Sequence, residues 1–243
     1  MSSTILWALA GTQFIFFMTA LGASLVFFLR SSAPRFQTIL PGFAGGVMTA
    51  ASVWSLLLPA IGQTEAEGRL PAWLPAAAGL VLGALFLTAA DALQGGARGR
   101  GRMLFTAITL HNIPEGMAVG LAFALAADSE GLAAAAALAL GIGIQNFPEG
   151  AAVSLPLRSR GMGRGRAFLC GVASGAVEPV FGMLAVFTAS LAHPLMPWLL
   201  SFSAGAMLYV TAHELCPEAS GRAGALSFIG GFALMMTLDV ALS

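Results

Sequence analysis

The chain has 243 residues, 58% of them hydrophobic and 9% charged, with a formal net charge of zero. Soluble domains carry about 25% charged residues, and a single core of this size cannot hide so much apolar surface. A soluble globular protein is therefore excluded, and the absence of a basic field excludes nucleic acid as a partner.

The first apolar stretch, about 5–29, follows Met1-Ser2-Ser3-Thr4, which lacks the basic leader of a signal peptide, so the stretch is expected to remain as a span. Seven more stretches of similar length follow, at about 39–61, 73–93, 103–127, 131–156, 166–191, 198–216 and 222–242. The runs are continuous rather than alternating, which predicts helices and not strands. The expected fold is all-α: one transmembrane domain over 1–243, a bundle of about eight helices in a lipid bilayer.

Every basic residue apart from the histidines is arginine. Arg30 and Arg35 follow the first span, Arg98, Arg100 and Arg102 the third, Arg158, Arg160, Arg164 and Arg166 the fifth, and Arg222 the seventh. Arg69 alone falls in the opposite set of loops, with Glu65, Glu67, Asp128 and Glu130. The positive-inside rule then makes the arginine loops cytoplasmic and puts both termini outside. The GARGRGR and RSRGMGRGR segments follow no strand, so they read as topology determinants rather than phosphate cradles. Glycines recur four apart at Gly42/Gly46, Gly79/Gly83, Gly116/Gly120 and Gly171/Gly175, a spacing that lets helices pack closely in lipid. The abundance of glycine and alanine is enough to account for most of these pairs. Cys170 and Cys216 form no framework and no CxxC motif.

Glu115, Glu149, Glu178 and Glu214 lie within the predicted spans. Each ionisable group at the bilayer centre costs about 2.5–3.5 kcal/mol on insertion scales, so a bound cation is the economical way to offset the cluster. One such residue alone is as well explained by a protonated acid bonded to a neighbouring helix. The fourth span contains HNIPEG (111–116) and the fifth QNFPEG (145–150), the same hexad twice. In each, the first residue and the glutamate are four apart and the asparagine and glutamate three apart, so all three share a helix face. On antiparallel neighbours, such a repeat can form a site around an axis in the membrane plane. Pro114 and Pro148 release the carbonyls of Leu110 and Ile144, leaving acceptors beside the ligands. Imidazole, carboxylate and amide together suit zinc, iron(II), manganese, cobalt and cadmium better than copper(I).

Glu178 precedes Pro179 in the sixth span and can face the same cavity. His213 and Glu214, near the cytoplasmic end of the seventh, read as an exit or relay point, or as an interfacial cap. His193 in HPLMP reads as a solvated loop residue, Asp91 as a helix end that can serve access or exit, and Asp239 as structural.

With HNIPEG, QNFPEG and the later EP and HE, the chain resembles the ZIP (Zrt/Irt-like) family of metal transporters, most of all its prokaryotic GufA-like branch. GFAGGVMTAASVWSLLLPA in the second span and GFALMMTLDVAL in the last extend the resemblance over nearly the whole chain. It implies eight helices with both termini extracytoplasmic and a two-metal site on the fourth and fifth. One metal would use His111, Glu115, Gln145 and Glu149. The other would use Asn112, Asn146 and Glu178, with Glu115 and Glu149 bridging. Ser52 and Ser55 would lie near the entrance path. The resemblance also implies an elevator, in which helices two, four, five and seven slide against one, three, six and eight, and often a homodimer. The implied cargo is Zn2+ or Cd2+, with iron(II) and manganese as further substrates and no organic cofactor. The expected location is the inner (plasma) membrane, multi-pass. Some relatives have a carboxylate at the position of Asn146, and many have a histidine-rich loop where this chain has QGGARGRGR.

Two other functions fit an intramembrane histidine–glutamate site. A metal-dependent hydrolase would activate water on zinc, but there is no HExxH, and the ligands are many rather than three with one open position. A proton-coupled carrier of an organic cation would not need the imidazole and the amides.

Overall fold

The computed structural model describes residues 2–28, 34–94, 100–126 and 128–242, and the elements among them are helices. Eight helical rods follow in chain order. The first, α1, comprises Ser2–Ala23 and Leu25–Phe28. The second, α2, runs Pro34–Ala51, passes through a π-helical turn at Ser52–Leu57, and continues as Leu58–Glu67. Next come α3 (Trp73–Gln94), α4 (Arg100–Leu125) and α5 (Ser129–Ser159). A break at Ala176 divides α6 into Arg164–Gly175 and Val177–Phe187. The seventh, α7, has a second π-helical turn at Thr211–Leu215 between Ala189–Val210 and Cys216–Glu218. The last, α8, is Gly221–Leu242.

Seven of the eight rods are long and apolar enough to cross a membrane. The exception is α4, whose 26 residues begin at Arg100 and carry His111, Asn112 and Glu115. At about 1.5 Å per residue it is long enough to span. Its low hydropathy reflects polar side chains that it buries inside the bundle: His111, Asn112 and Glu115 are at most 3% exposed. The lipid-facing surplus lies elsewhere, for example in Phe17 and Phe28 on α1, Leu82 and Leu85 on α3, Leu184 and Phe187 on α6 and Leu226 on α8, all largely exposed.

Short connections make successive rods antiparallel. The closest partners are α1 with α5, α2 with α8, α3 with α7, and α4 with α6. Small residues form each seam. Gly150 abuts the Thr19 carbonyl, Gly46 that of Phe228, Gly83 that of Phe202, and Gly116 the backbone of Glu178. Each of the four predicted glycine pairs lies against another helix, so the pattern reflects packing rather than composition alone. Asp128 caps α5 by accepting from the Gly131 amide at 2.8 Å, with Glu130 in the first turn.

The predicted spans correspond to these rods, with the largest displacement at the start of α7. The HPLMP segment is helical, not a loop, because α7 starts at Ala189. Pro194 and Pro197 each remove one backbone donor without ending the helix. His193 is half-exposed, as expected, but stands on that helix with Nδ1 3.5 Å from Glu67 Oε1.

Candidate metal centre

The two hexads meet where α4 and α5 pack together. His111 Nε2 lies 3.2 Å from Glu115 Oε1, one turn along its own helix, and 3.1 Å from Glu149 Oε2 on α5. The three groups offer ligand atoms all within 4.8 Å of one another, and all three side chains are buried. The shared face predicted from the four-residue spacing therefore exists, and it places one imidazole between two carboxylates in a low-dielectric interior. Two buried carboxylates are costly in that setting without a cation between them.

A second group of oxygens lies on α4, α5 and α6. Asn112 Nδ2 donates to the Ser174 carbonyl at 2.8 Å, beside the break in α6. Asn146 Nδ2 donates to Glu178 Oε1 at 3.1 Å, and Thr19 Oγ1 on α1 donates to the same atom at 3.0 Å. These bonds fix the amides by their NH2 groups. Asn112 Oδ1, Asn146 Oδ1 and Glu178 Oε2 are left buried with no hydrogen-bond partner among the described residues. Unsatisfied buried acceptors are rare in folded proteins and call for an explanation such as a cation.

Gln145 is held by its NH2 group. Its Nε2 donates to Asp239 Oδ1 on α8, and Ser55 Oγ on α2 donates to the same oxygen at 2.7 Å. Asp239 thus ties α8 to α2 and α5. With Ser55, Glu115 and Gln145 it lines a cavity of about 410 Å³ that also touches Trp54, Leu58 and Leu138. The signal for Asp239 was available, since an ionisable residue in an apolar span is functional by default. Ser52 does not line the cavity; it is fully buried and donates to the Met48 carbonyl. The π-helical turn that carries Ser52 and Ser55 is a device often found at functional positions.

The kink at Pro114 frees the Leu110 carbonyl as predicted, but the acceptor is not left for a ligand: Ser203 Oγ on α7 donates to it at 2.9 Å. At the other π-helical turn His213 and Glu214 diverge. His213 is exposed and stacks on Tyr209 at 5.3 Å, whereas Glu214 is buried and accepts from Arg160 Nη1 at 3.0 Å. His213 and Glu214 therefore do not share an interior position. Asp91 lies on α3, and its side chain falls outside the described residues.

One imidazole, several carboxylates and free amide oxygens, buried in a helical bundle and reached from a cavity, make a donor set of the kind that suits a divalent metal ion. The sequence matches the ZIP zinc transporter family over residues 91–239. It is 36% identical to zinc transporter ZIP11 of Bos taurus, covering 99% of this chain and 98% of the relative. It is 37% identical to zinc transporter GufA of Myxococcus xanthus, covering 96% of each. Identity to zinc transporter ZIPB of Bordetella bronchiseptica is 40%, covering 97% of this chain and 81% of the relative. The chain belongs to the ZIP family, and likeness to GufA supports the expected branch. It is a multi-pass membrane protein and a metal-ion transporter, not an enzyme.

Proposed function

We propose that the chain carries zinc, and with it cadmium, iron(II) and manganese, into the cytoplasm. One observation carries this reading: His111, Glu115 and Glu149 form a buried triad, and Glu115 also lines the cavity. Metal enters past Asp239 and Ser55, sheds water, and binds between the imidazole and the two carboxylates. The set is oxygen-rich and contains no thiolate, which suits a labile cargo site rather than a closed structural one. A second ion binds Asn112, Asn146 and Glu178, with Glu115 and Glu149 shared between the two. The leftover oxygens of those three residues support this site.

Transport proceeds as an elevator, with α2, α4, α5 and α7 sliding against α1, α3, α6 and α8. Each of the four closest-packed pairs joins one rod of each set, and glycines smooth each seam. The arginine loops face the cytoplasm of a plasma or inner membrane, both termini lie outside, and the protein works as a homodimer. The test is uptake of zinc, cadmium, manganese and iron(II) into sealed liposomes, with His111→Ala and Glu115→Ala beside the parent. Saturable uptake that both substitutions reduce supports the reading. Tight binding with no flux under any gradient would overturn it.

A further inference from the structure

Below Glu149, α5 runs on toward the arginine-bearing end of the bundle. Ser154 Oγ on α5 and Thr211 Oγ1 on α7 are buried without hydrogen-bond partners among the described residues. Glu214 follows three residues after Thr211, in the same π-helical turn. Six residues beyond Ser154 stands Arg160, the C-cap of α5. Its Nη1 donates to Glu214 Oε2 at 3.0 Å, and its Nε donates to Glu218 Oε1 at 3.1 Å and Oε2 at 3.2 Å. The side chain of Glu214 is 1% exposed, that of Arg160 18% and that of Glu218 26%, so the guanidinium bridges a deep carboxylate and a shallow one.

We propose that Arg160 is a built-in cation that closes the arginine-face end of the metal path by occupying Glu214, and that Glu218 holds its guanidinium aside when the path opens. A divalent ion cannot dock on Glu214 while a guanidinium sits there, because like charges repel strongly in a partly buried site. Arginine cannot be discharged, so the path opens only when the side chain moves. Glu218 lies four residues beyond Glu214 and nearer solvent, which gives the guanidinium a second carboxylate to rest on. Arg160 Nη2 is buried without a hydrogen-bond partner among the described residues, so the clamp is incompletely satisfied among them, unlike a permanent staple. The inference rests on the transport reading above for the direction of the path.

The test uses the full chain in detergent with Cys170→Ser and Cys216→Ser, carrying one reporter at a time. Ser154→Cys reports the buried stretch of α5 before Arg160, and Ala118→Cys reports the cavity that Ala118 lines. Labelling rates with a polar maleimide are compared among the parent, Arg160→Gln and Glu218→Gln. Removing a hydrogen bond to a charged group shifts an opening equilibrium by about tenfold. Arg160→Gln is expected to raise Ser154→Cys labelling by about that factor without raising that of Ala118→Cys. Glu218→Gln is expected to lower Ser154→Cys labelling, because the guanidinium then rests on Glu214 alone. A structural staple predicts the opposite for Glu218→Gln: loosening from either side raises labelling. Increases in both variants, increases at both reporters, or no change would overturn the proposal. If Arg160→Gln does not fold, the sign of the Glu218→Gln change decides by itself. Failure of the transport reading is separate: it would show as absent zinc flux in the parent, whatever the labelling.

Discussion

Replacing Gly116 by alanine should disturb the metal centre without touching a ligand. A Cβ at this position would lie 2.6 Å from the Cα of Glu178 and 2.8 Å from its carbonyl carbon. Ordinary carbon contacts are about 3.5–4.0 Å, so α4 and α6 must part by about 1 Å, and neither obstacle is a flexible side-chain end. Overpacking of this kind costs about 1–3 kcal/mol, which lowers the melting temperature by roughly 5 °C in a chain of this length. Glu178 moves with α6, so its bonds from Thr19 (3.0 Å) and Asn146 (3.1 Å) stretch beyond hydrogen-bonding range. Thermal unfolding in detergent and calorimetric zinc stoichiometry measure both effects: stability falls, and the second ion is lost before the first. The control is Gly230→Ala on the lipid-facing side, where a Cβ meets nothing within 4 Å. It is expected to be neutral, or stabilising by up to about 1 kcal/mol through helix propensity. A Gly116→Ala protein as stable as Gly230→Ala, with unchanged stoichiometry, would refute the close approach of α4 and α6 at the site.

Zinc binding should weaken steadily as pH falls from about 7.5 to 5, because imidazole and carboxylates must be deprotonated to ligate; calorimetry that shows a flat affinity over that range would contradict ligation by His111. Asp239→Asn replaces the carboxyl group that accepts from Gln145 and Ser55 by an amide and should raise the zinc concentration for half-maximal uptake about tenfold, read from uptake curves in liposomes. Ser203→Ala strands the Leu110 carbonyl at the Pro114 kink and should cost about 1–2 kcal/mol in thermal unfolding while leaving zinc stoichiometry unchanged.

What was legible in the sequence followed from spacing. His111 and Glu115, four apart in one hexad, share a helix face by helical geometry alone, and the repeat at Gln145–Glu149 supplied the partner helix. The eight rods followed from apolar length, although α4 lost its hydropathy signal to the residues it buries. Contacts set by tertiary packing were not legible. Nothing in the spacing links Asp239 to Gln145, 94 positions away, so the hydrogen bond between them was not legible. Arg160 read as a topology charge because its loop is rich in arginine, and only the turn in α7 brings Glu214 and Glu218 to it. Ser203 could not be matched to the carbonyl freed by Pro114 without knowing which helix packs there.

The central claim, that cargo sits between His111, Glu115 and Glu149, is tested most directly by X-ray absorption of the protein loaded with zinc, beside His111→Ala. The account predicts nitrogen and oxygen ligands at about 2.0–2.2 Å with an imidazole signature that His111→Ala abolishes. Sulfur scattering at about 2.3 Å, or an imidazole signature that survives in His111→Ala, would contradict it.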